Sequence, residues 1–247
     1  MPMVGVLFAA LVLFLAGPAA AQEWTEFISR EDGFRVAFPA EPKVTQTTYK
    51  SEYGADLPAR VYTVERGQQR YSVTAVDYSQ SQRILTEKAK ACPPWADERC
   101  TGVEVVGLGY WKMDIAGALT YAMFNFLQRD AKITHVSWNF VDLVEAQLIQ
   151  LTNNADQSRT FACISMHEDK LFIVEGTVPK GYPEPALFQQ SMGYVDKEGN
   201  GIRYRSVYSN IFPAPSRTRG GQAGPAGAAA PADGGAVPKG NGPGTAR

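Results

Sequence analysis

The chain has 247 residues, 45% of them apolar and 11% aromatic, with 24 basic against 25 acidic side chains and a net charge of −1. That balance, without a stripe of Lys or Arg, excludes the electrostatic footprint of a nucleic-acid-binding protein. Three cysteines are too few for a disulfide-dense scaffold.

Residues 1–21 read as an export signal. "VGVLFAALVLFL", Val4 to Leu15, is apolar but shorter than the about 20 residues a spanning helix needs. Gly17-Pro18 and Ala19-Ala20-Ala21 follow, a small-x-small cleavage pattern that makes Gln22 the expected mature N-terminus. The opening "MPM" departs from the usual signal in having no Lys or Arg. No second long apolar stretch follows, so the mature chain is expected to be soluble, in the periplasm or secreted. From Pro213 to Arg247 the sequence is built of Gly, Ala and Pro without an aromatic residue, a composition that cannot offset the entropy of ordering it. Residues 22–212 are therefore expected to form one domain and 213–247 a disordered tail. The domain carries 20 basic and 24 acidic side chains, and the tail is weakly basic.

Along the domain, "WTEFIS" (24–29) and "FRVAF" (34–38) read as strands joined at Asp32-Gly33, a short hairpin signal. Phe34, Val36 and Phe38 alternate onto one face, and Pro39 ends the strand by removing a backbone donor. "KVTQTTYKS" (43–51), "ARVYTVER" (59–66) and "RYSVTAVDY" (70–78) continue as an antiparallel meander. The period then changes. "SQRILTEKAKA" (81–91) predicts a helix, as does "DIAGALTYAMFNFLQR" (114–129), with Ile115, Leu119, Met123 and Phe126 on one face and Asp114 as N-cap, a strand being the alternative for this aromatic-rich stretch. Strands resume at 132–140, 145–153, 158–167 and 170–178, turned at Asn153-Asn154 and Glu168-Asp169, and "EPALFQQSM" (184–192) predicts a last short helix ending at Gly193. This order is α+β: an antiparallel β-sheet flanked by helices.

"FISREDGFRVAFPAEP" near the mature N-terminus and the late "LFIVEGTVP…LFQQSMGYVD" resemble the Mog1/PsbP-like group of α/β/α sandwich domains, whose bacterial members are small exported proteins opening with a G-[FY]-x-[VI]-x-[FY]-P-x-x-P hairpin. The resemblance covers most of 22–196. It implies the fold and no functional residue, because the group's functions, photosystem accessory proteins and a small-GTPase regulator among them, do not transfer to one another.

Several constellations carry potential chemistry. "CPPWADERC", Cys92 to Cys100, lacks C-x-x-C spacing and a nearby His, so an oxidising compartment favours a Cys92–Cys100 disulfide over a metal or redox site. Cys163, inside a strand, is expected to be a small buried apolar group, with pairing to Cys92 or Cys100 the alternative. Trp95, within the loop, is the candidate partner contact, whereas Trp138 alternates with Val136 and Phe140 and is expected in the core. His135 and His167 fall on positions that could share one sheet face, where a nearby carboxylate, Glu168 or Asp169, could complete a metal or acid–base set. "DKEGNG" (196–201) starts like a calcium loop but has Val207 where the closing Glu belongs, and is expected to be a turn. "GLG" (107–109) lacks the third glycine of a dinucleotide loop, and no hydrolase, zincin or phosphate-loop motif occurs. The sequence therefore points to an exported, non-catalytic binding or accessory protein of the bacterial cell envelope, without a cofactor. A divergent hydrolase or metal-dependent enzyme built on His135 and His167 is the alternative.

Overall fold

The computed structural model describes residues 24–91 and 110–218. Residues 1–21, the Cys92–Cys100 loop with Trp95, and the tail beyond 218 lie outside the described residues.

Chain order is β1 (Thr25–Ser29), β2 (Phe34–Phe38), β3 (Lys43–Lys50), β4 (Asp56–Arg66), β5 (Gln69–Asp77), α1 (Ser81–Ala91), α2 (Trp111–Leu127), β6 (Ala131–Val141), β7 (Val144–Asn153), β8 (Arg159–His167), β9 (Lys170–Val178), α3 (Ala186–Gln190), β10 (Gly193–Tyr194), β11 (Arg203–Tyr204) and β12 (Arg217–Thr218). Seven strands form one antiparallel sheet in the order β3-β4-β5-β9-β8-β7-β6, and β1-β2-β10 form a second, smaller sheet. The fold is α+β.

Each face of the large sheet has its own core. On one side α1 and α2 cover Leu57, Val76, Ile149, Leu151, Ala162 and Ile164. On the other side β2, α3 and β10 cover Tyr62, Val73, Cys163, Phe172 and Val174. Phe34, Val36 and Phe38 of the opening hairpin are fully buried in this second core, each contributing roughly 1.5–3 kcal/mol by leaving water. Gly33 stands at φ +75 in the β1–β2 turn, a conformation glycine adopts without steric cost. Gly176 serves a different purpose. A Cβ there would lie 2.9 Å from Pro185 Cγ, so its hydrogen lets the chain entering α3 close onto β9.

The two tight hairpins of the large sheet use side-chain-bearing residues at positive φ: Asp142 and Leu143 between β6 and β7, and Glu168 and Asp169 between β8 and β9. Both pairs match the sense of turn that follows the right-handed twist of paired strands. The structure corrects three expectations. Asp114 is not an N-cap: α2 begins at Trp111 after Tyr110, and Asp114 sits buried in the first turn. The last helix is only five residues, because Gly193 and Tyr194 are taken into a ladder with β2. Trp138 is outside the core, on the outermost strand, with 69% of its surface exposed.

Candidate functional site

The densest polar cluster lies where the small sheet meets the large one. Asp32, in the β1–β2 turn, is 3% exposed. Arg60 of β4 grips it with two bonds, Nη2 to Oδ1 at 2.6 Å and Nε to Oδ2 at 2.8 Å. The Tyr62 hydroxyl donates to Oδ2 at 2.6 Å, and Lys170 Nζ at the start of β9 lies 3.2 Å from Oδ1. Burial by itself would raise the Asp32 carboxyl, but the Arg60 and Tyr62 hydrogen bonds and the Lys170 charge outweigh it and hold it below the usual carboxylate range. Burial, with the Asp32 bond second, pushes the Tyr62 hydroxyl up to about 12.

Beside this cluster opens a cavity of about 360 Å³, lined by Arg30, Asp32, His167, Lys170, Asp196 and Arg217 among others. His167 is 4% exposed. Its Nε2 lies 2.6 Å from the Tyr204 hydroxyl, and its ring stacks on Tyr194 at 4.3 Å. Burial, helped by the nearby Arg217 charge, lowers its pKa to about 3, so the imidazole is neutral at physiological pH. Arg217 is itself ion-paired to Glu168. "DKEGNG" forms the expected turn at the cavity rim, with Asp196 Oδ1 accepting from the amides of Glu198 and Asn200. A general acid–base group works best with a pKa near the operating pH. His167 is far from that range, and the oxygens of Asp32 already accept bonds within the fold.

His135 stands apart from His167. It is exposed, with Nε2 2.9 Å from Ser137 Oγ. The register places both histidines on one sheet face, as their alternation suggests, but His135 is level through Gln150 with Phe161, at the other end of β8. Six residues of strand from Phe161 to His167 separate them by about 20 Å, at roughly 3.3 Å per residue. The two are not brought together as ligands. Among the described residues no three His, Cys, Asp or Glu side chains group to hold a metal ion. Cys163 is a free, buried thiol, raised by burial to about 11, which suits the packing role expected of it and not nucleophilic chemistry.

A second feature is a surface. β6 is one edge of the large sheet. Its residues Val136, Trp138 and Phe140, with Ile133 before a bulge, present exposed side chains on the face that carries α2. The register fixes that face, because Val136 is level with Ile149 and Ile149 belongs to the core beneath α2. α2 adds Met113, Phe124 and Leu127, all exposed. Single exposed apolar residues are ordinary, but three in a row along one face of an edge strand, Val136, Trp138 and Phe140, make a candidate interaction site.

Sequence reasoning had no access to the Asp32 network, because its partners lie 28, 30 and 138 positions away. Asp114 is a related case. It is 0% exposed; Oδ1 accepts from the Tyr53 amide at 3.1 Å, while Oδ2 has no partner among the described residues. Burial raises its pKa, only partly offset by bonds from Ser51 and Tyr53. A raised carboxyl penalises the folded state above its folded pKa, and the penalty fades as pH falls toward the ordinary carboxylate value. Asp114→Asn keeps an acceptor for the Tyr53 amide and removes the charge that burial penalises, so it is expected to stabilise the protein at neutral pH by on the order of 1 kcal/mol. Denaturant titrations of both proteins, at neutral pH and near pH ~4, check this. A variant less stable than the parent at neutral pH contradicts it.

No protein-family model and no curated relative matches the sequence. Among solved structures the chain is similar to the cyanobacterial PsbP (CyanoP) of Synechocystis sp. PCC 6803, a solution structure, with 11% identity and a TM-score of 0.38, over 72% of this chain and 96% of that one.

Proposed function

We propose that the chain is an exported, non-catalytic binding or accessory protein of the bacterial cell envelope, working through a partner protein held on its surface. The observation that supports this most is the exposed apolar row Val136, Trp138 and Phe140 on β6, set against a polar cluster whose groups are paired with one another. Large aromatic side chains in solvent supply most of the energy at protein interfaces, whereas paired, desolvated ions supply rigidity. The signal pattern of residues 1–21 supports export, and no helix among the described residues is long and apolar enough to cross a membrane. Cys92 and Cys100 are proposed to close a disulfide loop that presents Trp95 as a further contact. The disordered spacer expected from Pro213 onward is proposed to start only after Thr218, because Arg217 and Thr218 pair with β11.

One preparation tests the set. Protein recovered from the periplasm is expected to begin at Gln22 and to yield a Cys92–Cys100 peptide under non-reducing digestion. A photo-crosslinker placed at position 138 is expected to capture an envelope protein that the same group at Lys43, on the opposite sheet edge, does not. A retained Met1–Ala21 segment removes the export assignment. Equal capture from both edges, or none from either, removes the envelope partner from this face.

A further inference from the structure

The geometry points to a second copy of this chain as the first occupant of the β6 edge, joined to it as a two-fold, antiparallel strand pair centred on Trp138. This rests on the proposal that the face is a protein-docking surface, and names the partner that meets it along the strand.

The argument starts from the hairpin. Val141 and Val144 flank the two-residue turn Asp142-Leu143, so they exchange both backbone bonds, and along β6 every second residue does the same. Asn139 and Ser137 are therefore bonded to β7, while Phe140, Trp138 and Val136 direct their N–H and C=O groups away from it. The residues with exposed apolar side chains are thus the ones with unpaired backbone at the sheet edge. Among the described residues no strand pairs with that side of β6.

Natural sheets protect such edges with lysine, proline or bulges. The other edge follows the rule. β3 begins and ends with Lys43 and Lys50, and the residues between are mainly Thr and Gln. On β6 the bulge lies between Ile133 and His135 and the one lysine is Lys132, so the run 136–140 has no guard.

That run is also self-complementary. "VSWNF" laid antiparallel on itself about Trp138 sets Val136 against Phe140 of the second copy, Ser137 against Asn139, and Trp138 against Trp138. Apolar meets apolar on the α2 face and polar meets polar on the other, with about six new backbone bonds. A closed two-fold uses up both copies of the edge and stops growth at two. The contact is one strand wide. It buries on the order of 1,000 Å² in total, at the small end of specific interfaces where transient contacts fall, so the expected dimer is weak and reversible. Because the axis runs perpendicular to the sheet, both α2 helices stand on the same side. The Val136, Trp138 and Phe140 side chains of the two copies then form one doubled apolar floor on that side, which is where an envelope partner docks.

Sedimentation velocity of the full mature chain across the micromolar range tests this. The expected result is a monomer–dimer equilibrium that Trp138→Lys abolishes and Val44→Lys, on the β3 edge, leaves intact, both variants keeping the parent's thermal midpoint. Hydrogen exchange is expected to show the amides of Val136, Trp138 and Phe140 becoming protected as concentration rises. A chain that stays monomeric throughout, or a dimer indifferent to Trp138→Lys, overturns the inference. A monomer that still crosslinks an envelope protein from position 138 overturns the dimer alone. A dimer without such capture overturns the envelope partner alone.

Discussion

Asp32→Ala is expected to destabilise the protein by about 3–5 kcal/mol, the cost of leaving a buried ion without its counter-ion. The side chain joins three pieces of chain distant in sequence. It leaves the β1–β2 turn of the small sheet and receives Arg60 and Tyr62 from β4 and Lys170 from β9 of the large one. Truncation takes one acceptor from all three donors, but each keeps another partner, Arg60 the Glu31 carboxylate, Tyr62 the Ser29 hydroxyl and Lys170 the Glu31 carbonyl, which places the loss toward the lower end of the range. Asp32→Asn, which retains an acceptor but no charge, is expected to cost less than Asp32→Ala. Arg60→Ala should also be costly, and the double variant less than the sum of the singles, since each single leaves the other group unpaired. Because the carboxyl is held below its usual range, the stabilisation is present above the unfolded carboxylate value and is lost as pH falls through the folded one. Denaturant titration at neutral pH decides the matter. A loss within about 0.5 kcal/mol, as for an ordinary surface substitution, would show that the network does not hold the two sheets together.

The hairpin that contains Asp32 shows how far local sequence reaches. "DGFRVAFP" specified a turn, a strand, its buried face and its end, and Phe34, Val36 and Phe38 are buried as their alternation requires. All of that is encoded within a few residues. What Asp32 does with its carboxylate depends on strands that arrive much later in the chain, and no spacing rule reports it. Trp138 is the same limitation seen from the other side. Its alternation with Val136 and Phe140 is real, and the three do share a face. Period 2 says which side chains point the same way, not whether anything lies over them. Cover is decided by strand order, and β6 ends the sheet beyond the reach of the core beneath α2. The two histidines divide along the same line. Their shared face was legible from alternation, but their position along the strands was set by register, and register placed them at opposite ends. Helix α3 is short for a local reason of another kind, since Gly193 and Tyr194 gain ladder bonds with β2 that a longer helix would forfeit.

His167 should dominate the acid limb of the stability profile. In the unfolded chain an imidazole titrates near about 6.5, whereas in the fold burial, reinforced by Arg217, keeps it neutral down to about 3. Between those values the unfolded state binds a proton that the native state refuses, so stability is lost as pH falls from the unfolded value toward the folded one. The slope is about 1.4 kcal/mol per pH unit, which removes roughly 2–3 kcal/mol by about pH 4.5. Asp32 adds its own loss only below the carboxylate range, so the two contributions separate along the pH axis. The tyrosines at the ring do not blur the window, since Tyr204 and Tyr208 titrate far above it. His167→Phe keeps an aromatic ring against Tyr194 but strands the Tyr204 hydroxyl, at a cost of about 1 kcal/mol at neutral pH. The variant is expected to be the less stable protein at about pH 7.5 and the more stable one at about pH 4.5, with the curves crossing between. Urea titrations at a series of pH values measure this directly. Parallel curves for the two proteins across that interval would mean that His167 titrates normally in the fold, and that the cavity beside Asp32 admits enough water to solvate its charge.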